Sequence, residues 1–115
     1  MQIVSKSQLK QWMDEKENMT LIDVLPKENF QKQHIPGAIN IPFKDNADFL
    51  KEVAQHVALK DQRIVVYCAG TQCPLSKEAA QKLESAGYTN VQAFEEGVEG
   101  WFGKPAASSS GQAAA

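Results

Sequence analysis

The two cysteines of this 115-residue chain, Cys68 and Cys73, have the strongest capacity for covalent chemistry. Cys68 follows residues 62–67, an uninterrupted β-branched segment that predicts a central strand. No strand or helix pattern follows until Leu75, where a helix is predicted to begin. Loop amides and the helix dipole at such a junction stabilise a thiolate. We therefore expect Cys68 to be a nucleophile with a lowered pKa; the alternative is that it is the buried last residue of its strand.

Cys73 lies five residues after Cys68 and directly before Pro74, a residue that suits the first turn of a helix. One hypothesis is that Cys73 attacks an oxidised or persulfidated Cys68, releasing sulfide and leaving an intramolecular disulfide for a cellular thiol to reduce. The alternative is that Cys73 packs against the start of the helix. A disulfide requires Cα atoms closer than about 7 Å, which the tertiary structure decides.

Asp23 and Cys68 both fall at the carboxyl ends of predicted parallel strands, where ligands bind to such sheets. For Asp23 we favour a strand-end carboxylate satisfied by backbone N–H groups, the alternative being support of the loop around Cys68. His34 is expected to make hydrogen bonds within its loop, and His56 to lie at a helix surface. No His or Cys spacing matches a zinc site, so neither a metal nor another cofactor is expected.

Hydrophobic periodicity and turn residues predict alternating strands and helices along the chain. The predicted strands cover residues 3–4, 19–25, 38–41, 62–67 and 90–94, and the predicted helices cover 5–16, 27–33, a segment capped by Asp45 or Asn46, and 75–86. Residues 97–101 are predicted to be a turn. This alternation predicts an α/β fold: a single parallel β-sheet of about five strands with helices on both faces. Residues 1–103 are expected to form the domain, and residues 104–115 a disordered low-complexity tail.

The composition excludes several kinds of partner. Twelve Lys and Arg against fourteen Asp and Glu give a formal charge of -2, and no basic run is available to bind nucleic acid. No hydrophobic run approaches membrane-spanning length, and the first residues lack the pattern of a secretory signal. We therefore expect a cytoplasmic protein with no nucleic-acid or membrane partner.

A set of segments and single positions is spread over residues 3–101. They are Leu21-Ile-Asp-Val24, Glu28-Asn-Phe30, His34-Ile-Pro-Gly-Ala-Ile-Asn-Ile-Pro42, Val65-Val-Tyr-Cys68 with its loop, Ala79-Ala80, Leu83, Gly87-Tyr88, Val91, and Glu96-Gly97 with Trp101. Together they resemble the sequence of single-domain rhodaneses. The resemblance implies a rhodanese-like fold and a sulfurtransferase. Its cysteine, here Cys68, takes a sulfane sulfur from thiosulfate or polysulfide as a persulfide and passes it to cyanide, a thiol or a protein acceptor.

The loop after Cys68 is expected to bind the substrate through Ala69, Gly70, Thr71, Gln72 and Cys73. It departs from the commonest family form because it is longer and contains no Arg or Lys. Leu25 and Glu96 also replace a common Arg and a common Gly of the family. Because backbone dipoles alone would then hold anionic thiosulfate, we expect persulfide or polysulfide donors to be preferred.

Two other functions remain to be compared with sulfur transfer. Phosphatase or arsenate reductase chemistry needs an arginine at the far end of the cysteine loop, but Pro74 occupies that position and the single arginine, Arg63, precedes the cysteine. The other alternative is a non-catalytic rhodanese-like binding module, or a sulfur-carrier or redox module. The presence of Cys68 disfavours an inactive module.

Overall fold

The computed structural model describes residues 1–103, in which five strands alternate with five helices. The predicted tail, residues 104–115, lies outside the described residues. The strands are β1 (Gln2–Ile3), β2 (Met19–Asp23), β3 (Ile39–Asn40), β4 (Arg63–Tyr67) and β5 (Val91–Phe94). The helices are α1 (Lys6–Asp14), α2 (Lys27–Lys32), α3 (Phe49–His56), α4 (Leu75–Ser85) and α5 (Gly97–Phe102).

All five strands belong to one parallel sheet with the order β1-β5-β4-β2-β3. The β-branched strand β4 is central, as the sequence predicts, with Asp23 of β2 and Phe94 of β5 opposite its last residue, Tyr67. This arrangement confirms the predicted α/β fold class. Within residues 1–103, no helix has the length and hydrophobicity needed to span a membrane.

The sheet separates two hydrophobic clusters. On one face, Ile22 and Val66 pack with residues of α3 and α4, and Cys68 belongs to the same cluster. On the other face, Val65 and Tyr67 pack with residues from α1 and with Trp101 of α5. Because side chains alternate along a strand, Tyr67 and Cys68 point to opposite faces although they are neighbours in the chain.

Several local predictions differ from the structure. The turn predicted at residues 97–101 is the helix α5, whose Trp101 ring packs edge-on against Phe94, with 6.3 Å between centroids. The strand β3 is shorter than predicted, covering two residues. Neither Asp45 nor Asn46 caps α3, because the helix begins at Phe49 with Asp48 at its N-cap position. The Asn46 side chain instead donates to Pro42 O and accepts from Asp48 N. In contrast, the helix predicted to begin near Ser5 is α1, and the Ser5 side chain caps it by accepting from Gln8 N at 3.1 Å.

Candidate active site

Cys68 is the first residue after β4, and its side chain is completely buried. Its Sγ donates a hydrogen bond to the carbonyl oxygen of Cys73, at 3.4 Å. The loop reaches this position through a turn in which Cys73 N donates to Gly70 O at 3.0 Å. The loop of residues 69–73 therefore folds back over the thiol, and a backbone carbonyl of this loop is its hydrogen-bond acceptor.

Ser76, in the first turn of α4, is a site residue that our sequence reasoning missed. Its side chain is completely buried, and its hydroxyl has no hydrogen-bond partner of standard geometry among the described residues. Both its hydroxyl and its backbone amide lie close enough to lower the pKa of Cys68. Its position two residues after Pro74, at the start of a predicted helix, was the available sequence signal.

The pKa of Cys68 is raised to about 11, so the expectation of a lowered pKa is wrong for this conformation. Burial is the largest cause, because it separates the thiolate from water, and Cys73 raises the pKa further. The two Ser76 groups oppose this but do not overcome it.

Helix α5 supports the loop through two backbone hydrogen bonds. Val98 N donates to Cys68 O at 3.1 Å, and Glu99 N donates to Ala69 O at 2.9 Å. These bonds require the start of α5 to lie against the loop backbone, and Gly97 makes this possible with a φ of +62°. A Cβ there would lie 2.7 Å from the Ala69 carbonyl carbon. The start of α5 can therefore lie this close to the loop backbone only because Gly97 has no Cβ.

Two cavities meet at Cys73. A small cleft of about 280 Å³ lies over the loop and is lined by Ala69, Gly70, Gln72, Cys73 and Glu99. A larger groove of about 970 Å³ runs between the segment before α3 and the start of α4, with Cys73, Phe43, Phe49, Leu50 and Leu75 among its lining residues. Four of the five predicted loop residues therefore share one cleft. Thr71 is exposed and lines a separate cleft with Glu96 and Glu99.

The family follows from the comparison with known sequences. The sequence model of the rhodanese-like domain matches residues 5–104. This chain belongs to the rhodanese-like domain family. The resemblance inferred from the sequence motifs is therefore confirmed, and the relatives include sulfurtransferases.

Individual relatives of the rhodanese-like chain differ in size and in name. It is 40% identical to an HTH-type transcriptional regulator of Mycobacterium tuberculosis, over 72% of the chain and 34% of the regulator. It is 42% identical to the thiosulfate sulfurtransferase PspE of Escherichia coli K12, over 62% of the chain and 64% of PspE. Among solved structures, a thiosulfate sulfurtransferase from Pseudomonas aeruginosa has a TM-score of 0.78 and 25% identity, over 91% of this chain and 20% of that protein. The chain thus spans less than two thirds of the length of each of these three proteins.

Asp23 of the rhodanese-like chain lies on the sheet face opposite to Cys68, beside Tyr67. Its side chain is completely buried, and Oδ1 accepts from Leu25 N at 2.9 Å. Burial raises the pKa of Asp23, although the Leu25 amide and the nearby Tyr67 hydroxyl act to lower it. Oδ2 has no hydrogen bond of standard geometry within the described residues. Asp23 is therefore the last residue of β2, and its side chain bonds the backbone of the segment that follows this strand rather than the loop of residues 69–73.

The two histidines occupy the positions that the sequence predicts. His34 Nδ1 lies 2.8 Å from Phe30 O, and the His34 ring stacks on the Phe30 ring with 3.8 Å between centroids. His56 is exposed at the end of α3. In the part of the chain that the structure describes, no three His, Cys, Asp or Glu side chains are grouped so as to hold a metal ion.

Proposed function

We propose that the chain is a sulfurtransferase that carries a sulfane sulfur as a persulfide on Cys68. The observation that carries this proposal is the position of the Cys68 thiol, at the carboxyl end of the central strand and facing the amide and hydroxyl of Ser76. Thiosulfate, polysulfide or a related persulfide is the donor, and cyanide, a small thiol or a protein thiol is the acceptor. The loop of Ala69, Gly70, Thr71, Gln72 and Cys73 surrounds the transferred sulfur.

The reaction consists of two displacements at sulfur. The Cys68 thiolate attacks the outer sulfur of the donor, so that a Sγ–S bond forms while the donor S–S bond breaks and its electron pair leaves with sulfite or a shortened polysulfide. The acceptor thiolate or cyanide then attacks the outer sulfur of the persulfide. The Sγ–S bond breaks and returns its electron pair to Cys68 as a thiolate.

Activation of Cys68 requires a change in the groups around its sulfur. The resting thiol donates to the Cys73 carbonyl, an acceptor that would repel a thiolate. The Ser76 hydroxyl lacks another partner of standard geometry among the described residues, and it is placed to donate to the thiolate when the proton leaves. Attack by Cys68 therefore couples loss of the bond to Cys73 O with gain of a bond from Ser76.

The charges near the loop favour polysulfide or persulfide donors over thiosulfate. Glu99 lines the small cleft, and its carboxylate lies against the Gly70 backbone. The nearest loop residues have no positive side chain to balance a compact dianion. We expect a higher kcat/KM with polysulfide than with thiosulfate. Equal values for the two donors would contradict this preference without removing the persulfide mechanism.

Phosphoryl chemistry is disfavoured by the position of Arg63, the only arginine of the chain. Arg63 begins β4, at the end of the strand opposite to Cys68. Its guanidinium lies 3.9 Å from the Trp12 ring centroid and 3.4 Å from a Glu17 oxygen. It therefore has structural contacts far from the loop, and no guanidinium is available to bind an oxyanion beside Cys68.

The test is intact-mass measurement after incubation with polysulfide or thiosulfate. The wild-type chain should gain the mass of one sulfur atom, and Cys68→Ser should gain none, because a serine hydroxyl is not ionised at neutral pH. Ser85→Ala, on the exposed part of α4, is the matched control for mutation and should gain sulfur like the wild type. Sulfur transfer by Cys68→Ser at the wild-type rate would overturn the proposal.

A second candidate is a sulfur-carrying or binding module without turnover of its own. The observation that favours it is the relative named as a transcriptional regulator, of which this chain matches 34%. Turnover separates the two candidates. A carrier module accepts one sulfur per chain and stops, whereas an enzyme consumes donor continuously when cyanide or a thiol is present.

A further inference from the structure

Cys73 occupies the boundary between the two cavities at the site. It is partly exposed and lines both the small cleft over the loop and the 970 Å³ groove beside α4. Cys68, in contrast, has no exposed surface. The backbone of Cys73 lies directly over the Cys68 sulfur, because the Cys73 carbonyl accepts the Cys68 S–H bond at 3.4 Å. Cys73 therefore contacts the buried Cys68 thiol through its backbone and also lines both cavities.

We propose that Cys73 is a relay thiol, which takes the sulfur from the Cys68 persulfide and presents it at the groove. This inference rests on the proposed function, since it requires a persulfide on Cys68. Cys73 is then a second sulfur-carrying residue. The acceptors of its sulfur are thiols that are too large to enter the 280 Å³ cleft.

The relay is a single thiol–persulfide exchange. Cys73 loses its proton to water and its Sγ attacks the outer sulfur of the Cys68 persulfide. A bond forms between Cys73 Sγ and that sulfur, the bond to Cys68 Sγ breaks, and Cys68 leaves with the electron pair as a thiolate. The product is a Cys73 persulfide and a regenerated Cys68, so no oxidant or reductant is consumed.

The geometry favours attack on the outer sulfur rather than on Cys68 Sγ. Displacement at sulfur requires the nucleophile to approach opposite to the leaving group. For attack on Cys68 Sγ, the departing outer sulfur occupies the loop side, so the nucleophile would have to come from the core cluster that buries Cys68. For attack on the outer sulfur the approach is from the loop, where Cys73 lies. Transfer is therefore favoured over the disulfide and sulfide release that the sequence suggested.

Ser76 stabilises the group that leaves in this exchange. The departing Cys68 thiolate is in a buried site, where an unsolvated charge is unfavourable. The Ser76 amide and the Ser76 hydroxyl face that sulfur, and the hydroxyl has no other hydrogen bond of standard geometry within residues 1–103. The same donors thus serve both the first attack by Cys68 and its departure toward Cys73.

The experiment locates the transferred sulfur at residue level. Both cysteines lie in the tryptic peptide of residues 64–77, so fragment ions ending between residues 68 and 73 distinguish a sulfur on Cys68 from one on Cys73. The chain is loaded with polysulfide, free and persulfide thiols are alkylated, and the peptide is fragmented. The same procedure is applied to Cys68→Ser, Cys73→Ser and Cys73→Ala, with circular dichroism to confirm folding.

The relay predicts extra sulfur on Cys73 in the wild type and complete loss of it in Cys68→Ser. In both Cys73 variants the sulfur should stay on Cys68 and survive longer when a protein thiol is offered as acceptor. Cys73 loading that persists in Cys68→Ser would overturn the relay, as would accumulation of a Cys68–Cys73 disulfide with sulfide release. Sulfur found on Cys68 alone in every chain that contains Cys68, with unchanged transfer, would overturn the relay but leave the proposed function intact.

Discussion

Ser76 is the individual residue with the most specific consequence for reactivity. Its buried amide and hydroxyl lower the pKa of Cys68 against the larger effect of burial. A hydrogen bond to a charged group contributes about 1.5–3 kcal/mol. Ser76→Ala should therefore slow sulfur loading of Cys68 by about tenfold or more. Rapid-quench mass measurement at fixed pH gives the rate.

The matched control for this variant is Ser85→Ala on the same helix. Ser85 is exposed, and its hydroxyl donates only to Lys82 O, at 2.7 Å. It should load sulfur at the wild-type rate. If Ser76→Ala also loads at the wild-type rate while remaining folded, the Ser76 groups do not stabilise the thiolate.

The raised pKa of Cys68 gives a second prediction at the residue scale. With a pKa of about 11, folded Cys68 keeps its proton in a pH range where an unfolded cysteine has already ionised. The reaction of Cys68 with iodoacetamide should therefore rise about tenfold per pH unit up to at least pH 9, above the ordinary cysteine pKa of about 8.5. Alkylation mapped to Cys68 by fragment ions measures this. A plateau below pH 8.5 would show that the thiolate is stabilised in the resting protein.

The same shift affects stability with a definite sign. Because the folded state binds the Cys68 proton more tightly than the unfolded state, unfolding releases a proton between about pH 8.5 and 11. The free energy of unfolding contributed by Cys68 is fully present below this window and is lost as the pH rises through it. Cys68→Ser should remove this part of the alkaline destabilisation.

Helix α5 is the element on which the loop geometry depends most. Its first amides bond the Cys68 and Ala69 carbonyls, and Gly97 permits that contact. Gly97→Ala would combine strain at positive φ with overlap against the loop backbone. We expect it to lower the free energy of unfolding by roughly 2–5 kcal/mol and to reduce sulfur loading. Urea unfolding and mass measurement test the two effects.

Gly87→Ala is the control that has backbone strain at positive φ but no overlap with the loop. Gly87 has a φ of +98°, but a Cβ there would have no atom within 4 Å. The variant should lose only about 1–2 kcal/mol, from backbone strain, and retain sulfur loading. Equal losses of stability and loading in the two variants would show that the close approach of α5 to the loop does not position Cys68.

At the scale of the whole molecule, the proposed boundary of the domain is residue 103. Residues 104–115 contain a lysine, a proline and otherwise small or short polar side chains, which offer little hydrophobic area to a core. Truncation after Gly103 should therefore leave the Tm nearly unchanged. Differential scanning calorimetry of the truncated and full chains measures this. A loss of several degrees would show that these residues contribute to the stability of the domain.

The sequence by itself determined the parts of the site that depend on neighbours in the chain. The β-branched residues before Cys68, the loop after it and the hydrophobic periodicity after Pro74 predicted a strand, a loop and a helix where β4 and α4 lie. The helix α1 was predicted for the same reason. Local hydrogen bonding and side-chain periodicity depend on a few adjacent residues, which the sequence states directly.

The tertiary structure alone decided the chemical state of the site. The pKa of Cys68 depends on how completely other elements bury it, and α5 holds the loop through amides located thirty residues away in the chain. Asp23 also ends its strand at the same edge of the sheet as Cys68, yet it faces Tyr67 on the other side. Burial and sheet face are set by which elements pack together, so no local pattern around Cys68 contains them.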